Sequence, residues 1–272
     1  MLQISGKPRI LPKITQYMDL KRHIALFAAA ILFASCSKVY TPALYHQDIA
    51  YQPKPASFDS VKSMTYASGG INTYVNSNFE DLLVSGQANL SRGHAFNNFN
   101  LAYGAFGVFG DYENGAIQKG QPNYFTDKFF GAVGGRASAN FFVNSGRTDF
   151  RFIGVEMAYS HEFGDYANFR QSVQSQPGYY VDPRTDLFSI GLTSEILFHN
   201  VNNPGFQHGI RVYLGTTLGH DDLESTYYTD QTGEAKFFRA IYPKASYFIT
   251  FSRFFGTVEA GENFFIRFGY KF

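Results

Sequence analysis

Apolar and polar side chains alternate along the last ten residues of the chain, 263–272. One parity is apolar throughout: Phe264, Ile266, Phe268, Tyr270 and Phe272. The other parity includes Arg267, Gly269 and Lys271. Because successive side chains of a β-strand point to opposite faces, this pattern predicts a strand with one apolar face and one polar face.

The same alternation recurs upstream, between segments rich in Gly, Asn and Asp. It predicts ten strands, near 68–77, 83–91, 98–111, 129–143, 149–163, 186–199, 209–219, 236–245, 247–259 and 263–272. The part of the chain after residue 36 has no long stretch with a 3.6-residue period, so the sequence predicts an all-β protein.

The predicted connections alternate in length, which suggests an up-and-down antiparallel barrel. Residues 112–128, 164–185 and 220–235 are long and polar, whereas 144–148, 200–208 and a turn near Ser246 are short. If 236–259 is divided into two strands near Ser246, the total is ten, and an even number of strands places both ends of the chain at the same end of the barrel. Eight strands are the alternative if the weak first pair lies outside the barrel.

Charged residues of the predicted strands favour the polar parity, which would face the barrel interior. This inward set is Arg136, Glu156, Glu195, Arg211, Arg267 and Lys271. Arg253 is an exception, since it shares the apolar parity of its predicted strand, and a bulge or a different register would explain it. Opposite charges facing a narrow interior would pair, so we expect a plugged lumen instead of a wide pore.

The amino-terminal part of the sequence has the features of a signal peptide over residues 18–35. Lys21 and Arg22 precede an apolar run, 24–34, which is shorter than the roughly 20 residues of a membrane-spanning helix. Residues 1–17 carry no pattern and are interpreted as a non-native extension ahead of Met18.

The end of this segment, Phe33-Ala34-Ser35-Cys36, resembles the processing box of bacterial lipoproteins, in which the Cys is acylated and becomes the new amino terminus. Cys36 is the only cysteine in the chain, so no internal disulfide can form. An unpaired thiol in an oxidising compartment is explained economically by acylation. An ordinary signal peptide is the alternative. Residues 36–66, with scattered prolines, are interpreted as the lipidated Cys and a linker, and 67–272 as the barrel domain.

Together with the 30 Phe, 19 Tyr and 26 Gly residues of the chain, these features resemble outer-membrane β-barrel lipoproteins of Bacteroidota. The resemblance implies a transmembrane barrel that contacts outer-membrane lipids and depends on the lipoprotein-processing and barrel-assembly machineries. Phe268, Tyr270 and the terminal Phe272 would then form the barrel-assembly signal. With long loops outside, strand parity predicts that the lipid anchor and both termini are periplasmic.

The charge balance argues against nucleic-acid binding. The whole chain has 23 basic and 22 acidic residues. Its first 35 residues contain five of the basic residues and one of the acidic residues, so the rest of the chain has 18 basic and 21 acidic residues. A mature chain with net charge near −3 does not favour non-specific binding to nucleic acid.

Candidate chemistry is confined to one cluster in a predicted long loop: His220, Asp221, Asp222 and Glu224. Three carboxylates and an imidazole can bind a divalent cation or act as acid and base at a barrel rim, but a solvated acidic loop explains them equally well. His161-Glu162, at a predicted strand end, is interpreted as a rim polar network. Common hydrolase, nucleotide-binding and paired-cysteine motifs are absent, and no cofactor is predicted.

The sequence therefore predicts a lipid-anchored outer-membrane barrel without catalytic activity, with a structural or surface-interaction role for its long loops. One alternative is a hydrolase at the outer rim that uses His220 with Asp221 or Asp222. Another is a soluble periplasmic sandwich or lipocalin-like lipoprotein, in which the apolar faces would pack on each other.

Overall fold

Strands make up most of the chain in the computed structural model, which describes residues 38–75, 81–115, 117, 119–200, 203–219 and 240–272. The elements are, in chain order, β1 (Lys38–Tyr40), β2 (Ser63–Val75), β3 (Leu82–Ala95), β4 (Phe99–Glu113), β5 (Lys128–Ser145), β6 (Thr148–Phe163), α1 (Asp165–Val173), β7 (Tyr179–Val181), β8 (Asp186–Asn200), β9 (Asn203–Thr217), β10 (Tyr242–Phe251), β11 (Phe254–Ala260) and β12 (Asn263–Lys271). In the described part of the chain, no helix has the length and apolar character needed to cross a membrane.

Within these described ranges, ten strands form one closed antiparallel barrel, and β1 and β7 form a separate two-stranded sheet. Each barrel strand pairs with the barrel strands that precede and follow it in sequence, and β12 closes the barrel by pairing with β2, with Arg267 opposite Gly70. The predicted up-and-down barrel of about ten strands is confirmed. The eight-strand alternative is wrong, because β2 and β3 are paired along their full lengths.

The two ends of the barrel differ in the lengths of their connections. At one end, which we call the short-turn end, strands are joined by 96–98, 146–147 and 252–253. At the other, the long-loop end, the connections include 114–127, 164–185 and 218–241. The carboxy terminus reaches the short-turn end beside the start of β2, where the Phe272 amide donates to the Thr65 carbonyl oxygen at 2.9 Å.

The turn predicted near Ser246 is wrong. β10 continues through Ser246, and the chain reverses at Ser252 and Arg253, with Ser252 at a φ of 55°. Ser246 is buried on the inner face of β10, where its hydroxyl accepts a hydrogen bond from Arg211 and donates one to Glu259. The polar residue at this position therefore belongs to the barrel interior and not to a turn. Arg253 lies in the turn, and its apparent conflict with the apolar face disappears.

Side chains alternate between the outer and inner faces as the sequence predicts. In β6, Val155, Met157 and Tyr159 are exposed on the outside, whereas Glu156 and Ser160 are buried inside. The barrel therefore has an apolar outer surface and a polar interior.

The helix α1 was not predicted, because its nine residues fall inside a long polar connection. It buries Tyr166, Phe169 and Val173 against a cluster of inward residues at the long-loop end: Leu83, Phe106, Tyr112, Phe130 and Leu187. Stacking of the Tyr166 and Tyr112 rings, with centroids 4.0 Å apart, holds the helix over this end of the barrel.

Candidate functional site

Residues 39–58, which we term the lumen segment, occupy the interior of the barrel. Every residue from Pro42 to Ala56 is buried, although the segment has little regular secondary structure. The interpretation of 36–66 as a linker is therefore wrong for its described part: residues 39–58 pack inside the barrel, and residues from Ser63 onward belong to β2. The sequence of this segment shows no hydrophobic periodicity, because barrel side chains surround the segment on all sides and none of its faces is exposed to solvent.

The lumen segment starts at the long-loop end. The Tyr40 carbonyl oxygen accepts a hydrogen bond from the Asp182 amide at 2.9 Å, and the Tyr166 hydroxyl donates to the Thr41 carbonyl oxygen at 2.8 Å. The Tyr40 ring packs edge-on against Phe169, with centroids 5.2 Å apart. Burial, reinforced by the nearby Asp81 carboxylate, raises the pKa of the Tyr40 phenol, which stays protonated.

The lumen segment ends at the short-turn end. The Ser57 amide donates to Asp149 Oδ2 at 2.6 Å, and the Phe58 ring lies against the His199 ring, with centroids 3.8 Å apart. Just beyond the segment, Gln207 Nε2 donates to Asp59 Oδ1 at 2.6 Å. The chain thus crosses the whole barrel before it turns back into β2.

A charged cluster around Lys54 fixes the segment at mid-depth. Lys54 Nζ donates to Glu195 Oε1 at 2.9 Å, to Ser138 Oγ at 2.8 Å and to Asn140 Oδ1 at 2.7 Å. Arg151 donates to the other oxygen of Glu195, from Nη1 to Oε2 at 2.6 Å. One buried carboxylate is therefore shared between a cation of the segment and a cation of the barrel wall.

A second cluster centres on Glu259 and binds the backbone of the segment. The Tyr51 amide donates to the Glu259 carboxylate, with N to Oε2 at 3.0 Å, and Arg267 donates to the Tyr51 carbonyl oxygen. Arg211 Nη1 lies 3.6 Å from Glu259 Oε2 and also pairs with Glu156. Charge-assisted bonds to both peptide groups of Tyr51 hold the main chain in place, whatever side chain it carries.

Two further cations bind carbonyl oxygens of the segment. Lys244 Nζ donates to the Ile49 carbonyl oxygen at 2.8 Å, and Arg136 donates to that of Asp48. Apolar contacts complete the packing: the Tyr51 ring stacks on Phe248, with centroids 4.3 Å apart. Since irregular backbone offers unpaired carbonyl groups, inward Lys and Arg side chains satisfy what strand pairing cannot.

Five of the six predicted inward charges lie in the interior: Arg136, Glu156, Glu195, Arg211 and Arg267 are buried, whereas Lys271 is half-buried near the carboxy terminus. Strand parity missed Arg151. The pairing of β6 with β8 shifts register between Arg151 and Gly154, so odd-numbered residues point inward before the shift and outward after it. Lys244 and Glu259 were missed because the strands that carry them were divided at the wrong turn.

The predicted rim network at Glu162 is confirmed. Glu162 is buried, and its carboxylate accepts from Arg170 Nη2 at 2.6 Å and from the Ala43 amide at 2.6 Å. His161 faces outward, with Nδ1 3.0 Å from Asp186 Oδ1. Glu162 therefore links α1, the lumen segment and the barrel wall.

The sequence-predicted chemical candidates lie elsewhere. Cys36 and the loop cluster of His220, Asp221, Asp222 and Glu224 lie outside the described residues. The predicted assembly-signal residues are on the outer face of β12 or just after it: Phe268 and Phe272 are each 70% exposed, and Tyr270 packs edge-on against Phe254 and Phe272. Their role in assembly stays a prediction.

No family model matches the sequence, and no curated protein matches it significantly. Among solved structures, the chain is similar to Neisserial surface protein A (NspA), with 9% identity, a TM-score of 0.34, and coverage of 77% of this chain and 97% of that one. It is similar to the outer membrane protein OprG from Pseudomonas aeruginosa, at 13% identity, a TM-score of 0.34, and coverage of 78% and 96%. It is also similar to the transport unit of the autotransporter AIDA-I from Escherichia coli, at 8% identity, a TM-score of 0.36, and coverage of 80% and 92%. Similarity this low supports no inference about function, and the barrel architecture rests on the strand pairing itself.

Proposed function

We propose that the chain is an outer-membrane β-barrel lipoprotein, anchored through Cys36, with a non-catalytic structural or surface-interaction role for its long loops. The proposal is carried by the polarity of the barrel, which is apolar outside and charged inside. In this proposal, outer-membrane lipids cover the outer face.

Large apolar side chains cover the outer surface at mid-height. Leu90, Val133, Leu192 and Val212 each lie five or more residues from a strand end and are 53–57% exposed. Exposed acidic and basic residues of the described strands all lie within four residues of a strand end: Arg92, Asp111, Glu113 and Asp186. A hydrocarbon environment explains this distribution, because a Lys or Arg facing lipid at mid-bilayer costs about 2–4 kcal/mol.

The water-soluble alternatives do not fit this polarity. A sandwich packs its apolar faces together, whereas these strands form a closed barrel. A soluble binding barrel would place apolar side chains inside and polar ones outside. Here the interior holds Arg151, Glu195 and Arg211, all buried, and the apolar side chains face outward.

The filled interior favours a role for the loops and rim over one for a channel. The lumen segment crosses the barrel and bonds to its wall at both ends and at mid-depth. The rim-hydrolase alternative depends on His220, Asp221 and Asp222, and none of the described contacts favours it.

Gel migration and solubility of a Cys36→Ala variant test this proposal. A closed barrel with a lipid-facing surface should still require detergent without its acyl chains. It should also migrate faster before boiling than after boiling, and wild type should behave in the same way. A variant that is monodisperse in buffer without detergent would contradict the membrane placement, and a wild-type mass without added acyl chains would contradict the anchor.

A further inference from the structure

The path of the lumen segment determines the end of the barrel at which the described domain begins. Tyr40 and Thr41 are bonded to the α1 region, at the long-loop end, whereas Ser57 is bonded to Asp149 at the short-turn end. Strand parity alone places the start of the chain beside the start of β2. The segment crosses the barrel first, so the chain enters from the opposite end.

We propose that the acyl chains on Cys36 insert into the membrane leaflet on the long-loop side, which is the outer leaflet if the long loops face outward. This inference rests on the proposed function, and it reverses the expectation of a periplasmic anchor. The lipidated cysteine and the long loops would then share one surface of the membrane.

The length of the intervening chain supports this placement. Cys36 precedes Val39 by three residues, so a fully extended backbone spans at most about 11 Å between them. The hydrocarbon core of a bilayer is about 30 Å thick. An anchor tied so closely to the long-loop end cannot reach the leaflet at the short-turn end.

The contacts of the lumen segment also oppose its withdrawal. Moving the entry point to the other end would require the segment to leave the barrel. That would break the Lys54–Glu195 ion pair, the hydrogen bond that the Tyr51 amide donates to Glu259 and the one that the Tyr51 carbonyl oxygen accepts from Arg267. Buried ions separated from their partners are strongly unfavourable. The segment therefore stays in the lumen once the barrel is folded, with its start and the anchor on the long-loop side.

Labelling of cysteine variants in intact cells with a membrane-impermeant maleimide tests the inference. The variants are Lys38→Cys at the start of the described chain, Gln121→Cys in an exposed connection at the long-loop end, and Arg147→Cys in an exposed turn at the short-turn end. Wild type is the background, because its single cysteine is acylated in this proposal and gives no label.

We expect Lys38→Cys and Gln121→Cys to be labelled in intact cells, and Arg147→Cys to be labelled only after the outer membrane is permeabilised. An epitope inserted between Ser37 and Lys38 should likewise bind antibody on intact cells. The inference would be overturned if Gln121→Cys is labelled in intact cells but Lys38→Cys labelling and epitope binding both require permeabilisation. That result would leave the proposed function intact. Labelling of wild type would show a free Cys36 thiol and would overturn the proposed anchor together with the inference.

Discussion

Lys54 and Glu195 form an ion pair inside the barrel, with Nζ 2.9 Å from Oε1 and no exposed surface on either side chain. Lys54 belongs to the irregular segment that fills the lumen, and Glu195 belongs to the wall strand β8. Arg151 of β6 shares the same carboxylate. This relationship joins the amino-terminal chain to two strands that lie nearly a hundred residues or more away in sequence.

Removal of the shared carboxylate should destabilise the protein strongly. Glu195→Gln leaves Lys54 and Arg151 without their counter-ion, and losing one partner of a buried pair costs about 3–5 kcal/mol. Lys54→Met should cost less, because Glu195 keeps Arg151. The measurement is the temperature at which the fast-migrating barrel form unfolds on detergent gels. Lys119→Met, in an exposed loop, is the control, and Glu195→Gln variants as stable as this control would contradict the prediction.

Deletion of the lumen segment should open the barrel to ions. Without residues 39–58, the inward charges of the wall would be hydrated, and a barrel of ten strands leaves a narrow polar passage. In a Cys36→Ala background, we expect unitary conductance steps in planar bilayers from the deletion variant and none from the chain that retains the segment. Heat-modifiable migration must first show that the deletion variant is folded. A folded deletion variant that does not conduct would show that side chains of the wall close the lumen by themselves.

The hairpin of β10 and β11 gives a matched pair of glycine variants. Ser252 has a φ of 55°, so Ser252→Gly should relieve backbone strain and leave stability unchanged or raise it by up to about 1 kcal/mol. Ser246→Gly removes a buried hydroxyl that bonds to Arg211 and Glu259 and should cost about 1–3 kcal/mol. Urea unfolding in detergent measures both variants. The opposite order would favour a turn near Ser246.

The serines also show where sequence patterns stop being informative. Both are small polar residues close to aromatic residues in the sequence, and only the pairing of β10 with β9 and β11 shows that Ser246 lies within a strand. Alternation predicted the barrel, its long connections and five of its buried inward charges, because a two-residue period is a local property. Arg151 escaped prediction because a register shift in β6 reverses parity within three residues.

The lumen segment was missed for a different reason. A chain that is surrounded by the polar interior of a barrel does not need an alternation of apolar and polar side chains. The prolines and scattered tyrosines of the lumen segment are also typical of a linker. Its partners, such as Glu259 for Tyr51 and Asp149 for Ser57, lie about 90–210 residues away and become visible only when the barrel is closed. The predicted anchor and loop candidates, Cys36 and His220 to Glu224, lie outside the part that the structure describes.

A pair of arginine substitutions on the outer face should report on the environment of the barrel at two heights. Leu192 lies near the middle of β8, and Leu218 lies just beyond the end of β9; both side chains are about half exposed on the outer surface. In a bilayer, Leu192→Arg should reduce the unfolding free energy by about 2–4 kcal/mol, whereas Leu218→Arg should cost about 0–1 kcal/mol, because the cost falls towards the interface. Urea unfolding in lipid vesicles gives both values. Equal and small effects at the two positions would mean that water or protein, not hydrocarbon, covers Leu192, and the membrane placement would have to be abandoned.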